Sequence, residues 1–229
     1  DREGQAIQTV GGRPACLIRF LPGVSLSHPT PAQARAAARA LGEMHVALRN
    51  FPLGRPNSMG VDTWQPLFER CGRSLDEIAP GLHDDLAFAI ADLAATWPCG
   101  ELDRCTIHAD LFPDNVMMLG DRLSGLIDFY FACTDVRLFD LAIMHVAWSF
   151  DVTGRQYDAG VGDALIAGYA QHFPLSDGER RAWRDLAVGA CIRFTLSRAW
   201  DWLNTPADAL VMRKDPLAFW RRVRVYDPG

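Results

Sequence analysis

The sequence predicts an α+β chain that is mostly helical and carries two small groups of short strands. Three observations lead there. Residues 31–48 place Ala34, Ala37, Ala38, Leu41, Met44, His45 and Leu48 on one helical face, and similar patterns recur along the chain. Residues 1–20 read instead as a hairpin about Gly11-Gly12. Between Arg104 and Asp128 the apolar runs shorten to 105–107, 116–119 and 123–127, separated by polar loops.

In chain order, a polar turn at residues 1–4 precedes strands expected over 6–10 and 15–21, the second stopped by Pro22-Gly23. A lone hairpin is marginal in water, so these strands are expected in a larger sheet. Thr30 and Pro31 are an N-cap and N1 pair for the helix 31–48. Residues 50–60, with two prolines, two glycines and two asparagines, read as a surface loop. Helices are expected near 63–78 and 82–97, the latter closed by Pro98 and Gly100. Gly120-Asp121 joins 116–119 to 123–127 as a hairpin. Further helices follow over 136–150 and 158–172. Ser176 and Glu179 form a capping box opening a long helix to about residue 203. A last helix spans 216–223.

Composition narrows the class. Of the 229 residues, 49% are hydrophobic and 22% charged, which excludes wholesale disorder and suits one large domain or two small ones. The net charge of -5 offers no global attraction to nucleic acid or to an anionic membrane. No apolar run reaches the roughly 18 residues of a membrane span. The six cysteines contain no CxxC pair and mostly sit in apolar runs, as in a reduced, cytoplasmic chain. Asp1-Arg2-Glu3-Gly4 is neither a signal peptide nor a methionine start, so an upstream portion is expected. Lys214 is the only lysine among 23 basic residues, and chemistry that needs a lysine has one candidate.

The chemistry concentrates between residues 108 and 140. His108, Asp110, Asp114 and Asn115 lie in a loop between apolar runs, and Asp128 ends an apolar strand. A carboxylate there is costly to bury unless paired or metal-bound. The hairpin returns Asp128 toward Asn115. Asp110, Asn115 and Asp128 are hard oxygen donors that suit Mg²⁺ and not zinc. A carboxylate beside a magnesium-bound phosphate is the layout of phosphoryl transfer, in which an Asp takes the proton of the attacking hydroxyl. Asp114 and Asp135 read as solvated loop carboxylates, His45 and His145 as core histidines, and Asp140 as a helix N-cap.

His108-x-Asp110-x4-Asn115 resembles the catalytic loop of protein kinase-like enzymes, and Ile127-Asp128-Phe129 resembles their metal-binding strand end. Ala109, where protein kinases have arginine, is similar to the aminoglycoside phosphotransferase-like branch. Within that branch, residues 107–143 and the tail 193–224 resemble the homoserine kinases of bacterial threonine biosynthesis.

The resemblance implies a protein kinase-like fold, with 1–23 the end of a small lobe and the hinge and 24–229 a helical catalytic lobe. It implies ATP and Mg²⁺ as cofactors and L-homoserine as substrate, giving O-phosphohomoserine. Asp110 would be the base, His108 a brace, Asn115 and Asp128 the metal ligands, and Asp140 a buried support for the loop. Main chain near Phe20 and Leu21 would meet adenine. The family's phosphate-covering loop and strand lysine are not found upstream of the hinge, so most of the small lobe is expected to be missing and this chain alone to be weakly active or inactive. The acceptor is a zwitterion, and Arg198, Asp201 and Trp202 on the long helix are its expected clasp; an intrahelical Arg198–Asp201 ion pair is the alternative. Three other functions remain open: a kinase of another small hydroxylated amine or sugar, a fragment that only binds ligand, and a metal-dependent phosphohydrolase, which would want more histidines.

Overall fold

The computed structural model describes residues 4–98, 102–206 and 213–227. A short hairpin, β1 (Gln8–Val10) and β2 (Arg13–Ala15), turns on Gly11 and Gly12, both at positive φ. It is shorter than expected, and residues 16–21 continue without strand pairing. No third strand joins it among the described residues, contrary to the expected larger sheet. The turn at 1–4 lies outside the described residues except for Gly4.

Helix α1 (Pro31–Leu48) starts with a capping box between Thr30 and Gln33. The expected helix near 63–78 is broken. α2 (Trp64–Cys71) ends at Gly72, whose φ of +55° stops the helix, and α3 (Leu75–Ile78) is one short turn. α4 (Leu82–Thr96) follows; of its expected stop, Gly100 lies outside the described residues.

Strand β3 (Arg104–Ile107) leads into the site loop. β4 (Val116–Leu119) and β5 (Arg122–Leu126) form the expected hairpin, with Val116 opposite Leu126. β6 (Cys133–Val136) was not anticipated and pairs antiparallel with β3. It places Asp135 in a buried position, where Asn57 Nδ2 (2.7 Å) and Arg104 (3.2 Å) meet its carboxylate, so Asp135 is not a solvated loop residue.

Then come α5 (Arg137–Trp148), α6 (Ala159–Tyr169) and α7 (Asp177–Asn204), the last opened by the Ser176–Glu179 capping box. The expected last helix is two short ones, α8 (Leu217–Trp220) and α9 (Val223–Tyr226). α5 is buried along nearly its whole length between α1, α6 and α7. α1 lies close on α6 because Gly168 has no side chain; a Cβ there would sit 2.3 Å from the Arg35 carbonyl. Cys71, Cys105, Cys133 and Cys191 are buried free thiols, and Cys16 is exposed. No helix among the described residues is long and apolar enough to cross a membrane.

Candidate active site

The loop after β3 takes an uncommon backbone path. Ala109 has φ +64° and Asp128 has φ +63°, and they are the two non-glycine residues at positive φ among those described. Each conformation costs about 1–2 kcal/mol for a residue with a Cβ, so the surroundings must hold it. At Ala109 the holders are visible. Asp140 Oδ2 accepts the His108 N–H at 2.7 Å, and Oδ1 accepts the Ala109 N–H at 2.8 Å. Asp140 is therefore not an N-cap. It lies in the first turn of α5, whose N-cap is Val136, and both its oxygens hold the loop.

His108 braces the loop from within. Its Nδ1 accepts the Asp110 N–H (3.3 Å), so Nε2 carries the proton and donates to the Ile127 carbonyl (2.9 Å). The ring thus ties Asp110 to the residue before Asp128. Asn115 adds a second tie: its Nδ2 donates to the Asp110 carbonyl (2.8 Å), and its own carbonyl accepts the Ile127 N–H (3.0 Å). Asp110, Asn115 and Asp128 are brought to one edge of the β4–β5 hairpin.

Two of those residues fit a divalent cation. Asn115 has committed its amide nitrogen, which leaves Oδ1 free to ligate. Asp128 is exposed, and its carboxylate has no hydrogen bond or ion pair among the described residues. Two hard oxygen donors suit Mg²⁺, which fills its remaining positions with water and phosphate oxygens. Among the described residues no group of three or more His, Cys, Asp or Glu side chains is placed to hold a metal ion. Burial pushes the Asp110 carboxyl above its ordinary value, with the Arg193 guanidinium opposing.

Arg193 was not anticipated. It is 2% exposed on α7, donates to the Ala109 carbonyl, and places Nη2 4.0 Å from Asp110 Oδ1. In the sequence it is one more residue of a helical stripe, and no local signal separates it from the other arginines.

A cleft of roughly 1110 Å³ opens beside the loop, lined by Phe112, Trp148, Tyr157, Arg198, Lys214 and Phe219 among others. Trp148 Nε1 donates to the Leu111 carbonyl at 2.9 Å and fixes the cleft wall to the loop. Arg198 is half-buried and stacks on Phe219 at 4.5 Å; burial pushes its guanidinium below the ordinary arginine value, with Asp215, Asp110 and Asp114 opposing. Asp201 and Trp202 are exposed and do not line the cleft. Three residues along a helix is a 300° rotation, and here it turns Arg198 inward and Asp201 outward. The described residues show no Arg198–Asp201 ion pair. Lys214 lines this cleft, far from any strand position.

Phe20 is exposed, and Leu21 packs over Gly125 on β5. Just beyond, Val24 exchanges two backbone hydrogen bonds with Met118 (3.0 and 2.9 Å), stitching the segment to β4.

Residues 2–183 match the model of the phosphotransferase enzyme family. The chain belongs to that family. This phosphotransferase is 48% identical over 227 residues to a homoserine kinase of Zymomonas mobilis, covering 99% of this chain and 70% of the relative. It is 47% identical to a homoserine kinase of Gluconacetobacter diazotrophicus, over 98% of this chain and 70% of that one. A choline/ethanolamine kinase family protein of Mesorhizobium loti has a similar fold, with a TM-score of 0.65 at 17% identity over 95% of this chain and 71% of its own. The phosphotransferase family and its fold neighbours bear out the kinase-like α+β architecture read from the His108–Asn115 loop.

Proposed function

We propose that this phosphotransferase is a cytoplasmic homoserine kinase, transferring the γ-phosphoryl group of ATP to the hydroxyl of L-homoserine. Identity of 48% and 47% to homoserine kinases, over almost the whole chain, carries the choice of acceptor. Asp110 is the base: it orients the acceptor hydroxyl and takes its proton as the oxygen–phosphorus bond forms and ADP leaves. The raised affinity of Asp110 for a proton suits that role. Asn115 and Asp128 would hold Mg²⁺, which neutralises charge on the phosphates when bound. His108 and Asp140 hold the loop and do not react.

Residues 1–23 form the end of the small lobe and the hinge, with main chain near Phe20 and Leu21 facing adenine; residues 24–229 form the catalytic lobe. Arg198, half-buried in the cleft beside the loop, is the partner of the substrate carboxylate. Asp201 and Trp202 stand on the outer face of the same helix, away from the cleft, and are not part of that clasp. The test is an acceptor screen with the full-length protein and MgATP, using L-homoserine, ethanolamine, choline and kanamycin. Phosphorylation of homoserine is expected; transfer to kanamycin or choline without transfer to homoserine contradicts the choice.

A further inference from the structure

The peptide units either side of Ala109 are gripped by two side chains of opposite charge. Asp140, from α5, takes its N–H. Arg193, from α7, donates to its carbonyl. The residue between them is strained at φ +64°, and the next residue is Asp110. Arg193 is almost fully buried, with the Phe131 and Phe194 rings 5.7 and 4.6 Å from its guanidinium. Burying a guanidinium is costly, and its partners here are one backbone carbonyl and a carboxylate oxygen at 4.0 Å. A cation used only for packing would be replaced at less cost by an apolar side chain of the same volume.

We infer that Arg193 is a positioning residue for phosphoryl transfer: it holds the Ala109 carbonyl so that the loop delivers the Asp110 carboxylate to the acceptor hydroxyl. The guanidinium fork matters because one nitrogen serves the carbonyl while another faces the carboxylate. The loop lacks an arginine of its own at position 109, and α7 supplies the cation from 84 residues away. The same helix presents Arg198 to the cleft, so one rigid element bears both the residue that sets the base and one that lines the acceptor site.

The inference rests on the proposed function of Asp110. Its test compares full-length wild type with Arg193→Lys and Arg193→Met in steady-state transfer to L-homoserine, with MgATP affinity measured by calorimetry. A lysine serves one of the two partners, so R193K is expected to lose about tenfold in kcat and R193M about a hundredfold, the scale of a small misplacement. KM for homoserine and the affinity for MgATP should stay within threefold. R193K keeps the charge and is the variant that decides if R193M does not fold. An R193K kcat within threefold of wild type overturns the Arg193 assignment alone, as does a loss that appears equally in MgATP affinity. Absence of transfer by the wild type overturns the function and the assignment with it.

Discussion

His45 Nε2 lies 3.1 Å from Asp140 Oδ2, and neither side chain is exposed to solvent. The contact is one link in a buried chain. Arg137 Nη1 donates to the Tyr169 hydroxyl (3.0 Å), so Tyr169 gives its own proton to His45 Nδ1 (2.8 Å). That leaves the His45 proton on Nε2, pointed at Asp140. Arg137 also pairs with Glu179 at 2.6 Å, the residue that caps α7 through Ser176. The candidate catalytic loop is thereby joined through Asp140 to α1, α5, α6 and the start of α7.

Asp140→Ala removes the acceptor of two backbone N–H groups and of His45. Removing one member of a buried charged network costs about 3 kcal/mol or more. We expect a loss of that size in urea denaturation and a fall in kcat of about a hundredfold. Burial pushes the Asp140 carboxyl up, but the bonds from His45 and the His108 main chain outweigh it and hold the group below its ordinary value. Its stabilisation is therefore complete above about pH 4 and lost as pH falls through the folded value. Asp140→Asn should flatten the acid limb of stability against pH.

Tyr169→Phe tests the next link. It strips one partner each from His45 and Arg137. A loss of about 1–3 kcal/mol is expected in denaturation, because both groups stay buried without a replacement. An unchanged midpoint would show that the link contributes nothing.

His145 gives a pH signature away from the site. Burial pushes its pKa down to about 4, and its Nδ1 meets the Tyr226 hydroxyl at 2.6 Å. The unfolded chain binds a proton near pH 6.5 that the folded chain refuses, so stability rises between about pH 4 and 6.5. The full effect is about 3 kcal/mol. Denaturation of His145→Gln across this range should show a flatter slope than wild type.

Gly23 adopts φ +128°, and a Cβ there would lie 2.6 Å from the Met118 carbonyl oxygen. Gly23→Ala should pull the Val24–Met118 bridge apart and displace the segment proposed to meet adenine. A strain of about 1–3 kcal/mol corresponds to ATP binding weakened by about 5-fold to 150-fold. Calorimetry with MgATP measures it; unaltered affinity would place adenine elsewhere.

What the sequence revealed follows from how local each signal is. The β4–β5 hairpin and the Ser176 capping box depend on neighbouring residues and were legible, as was the return of Asp128 toward Asn115. The helix expected near 63–78 was misjudged because its apolar pattern runs through Gly72, where the chain turns. Strand β6 was hidden because Cys133–Val136 runs straight into α5 with no turn residue between them. Asp135 was misplaced because its burial is set by the pairing of β6 with β3, not by adjacent residues. For Asp140 only the N-cap reading fails, because α5 already begins at Arg137; its buried support of the loop is as the resemblance implies. Arg193 carries no local mark at all, since its partner Ala109 is brought to it only by the packing of α7.

The most direct measurement is phosphorus NMR of the full-length protein and its Asp110→Asn variant, each incubated with MgATP and L-homoserine. The wild type is expected to form a phosphomonoester on the homoserine oxygen. Asp110→Asn should slow that step by about 10² to 10⁴ while its affinity for MgATP stays within a few-fold. A wild type that leaves homoserine unmodified, or an Asp110→Asn variant that matches its rate, would contradict the account.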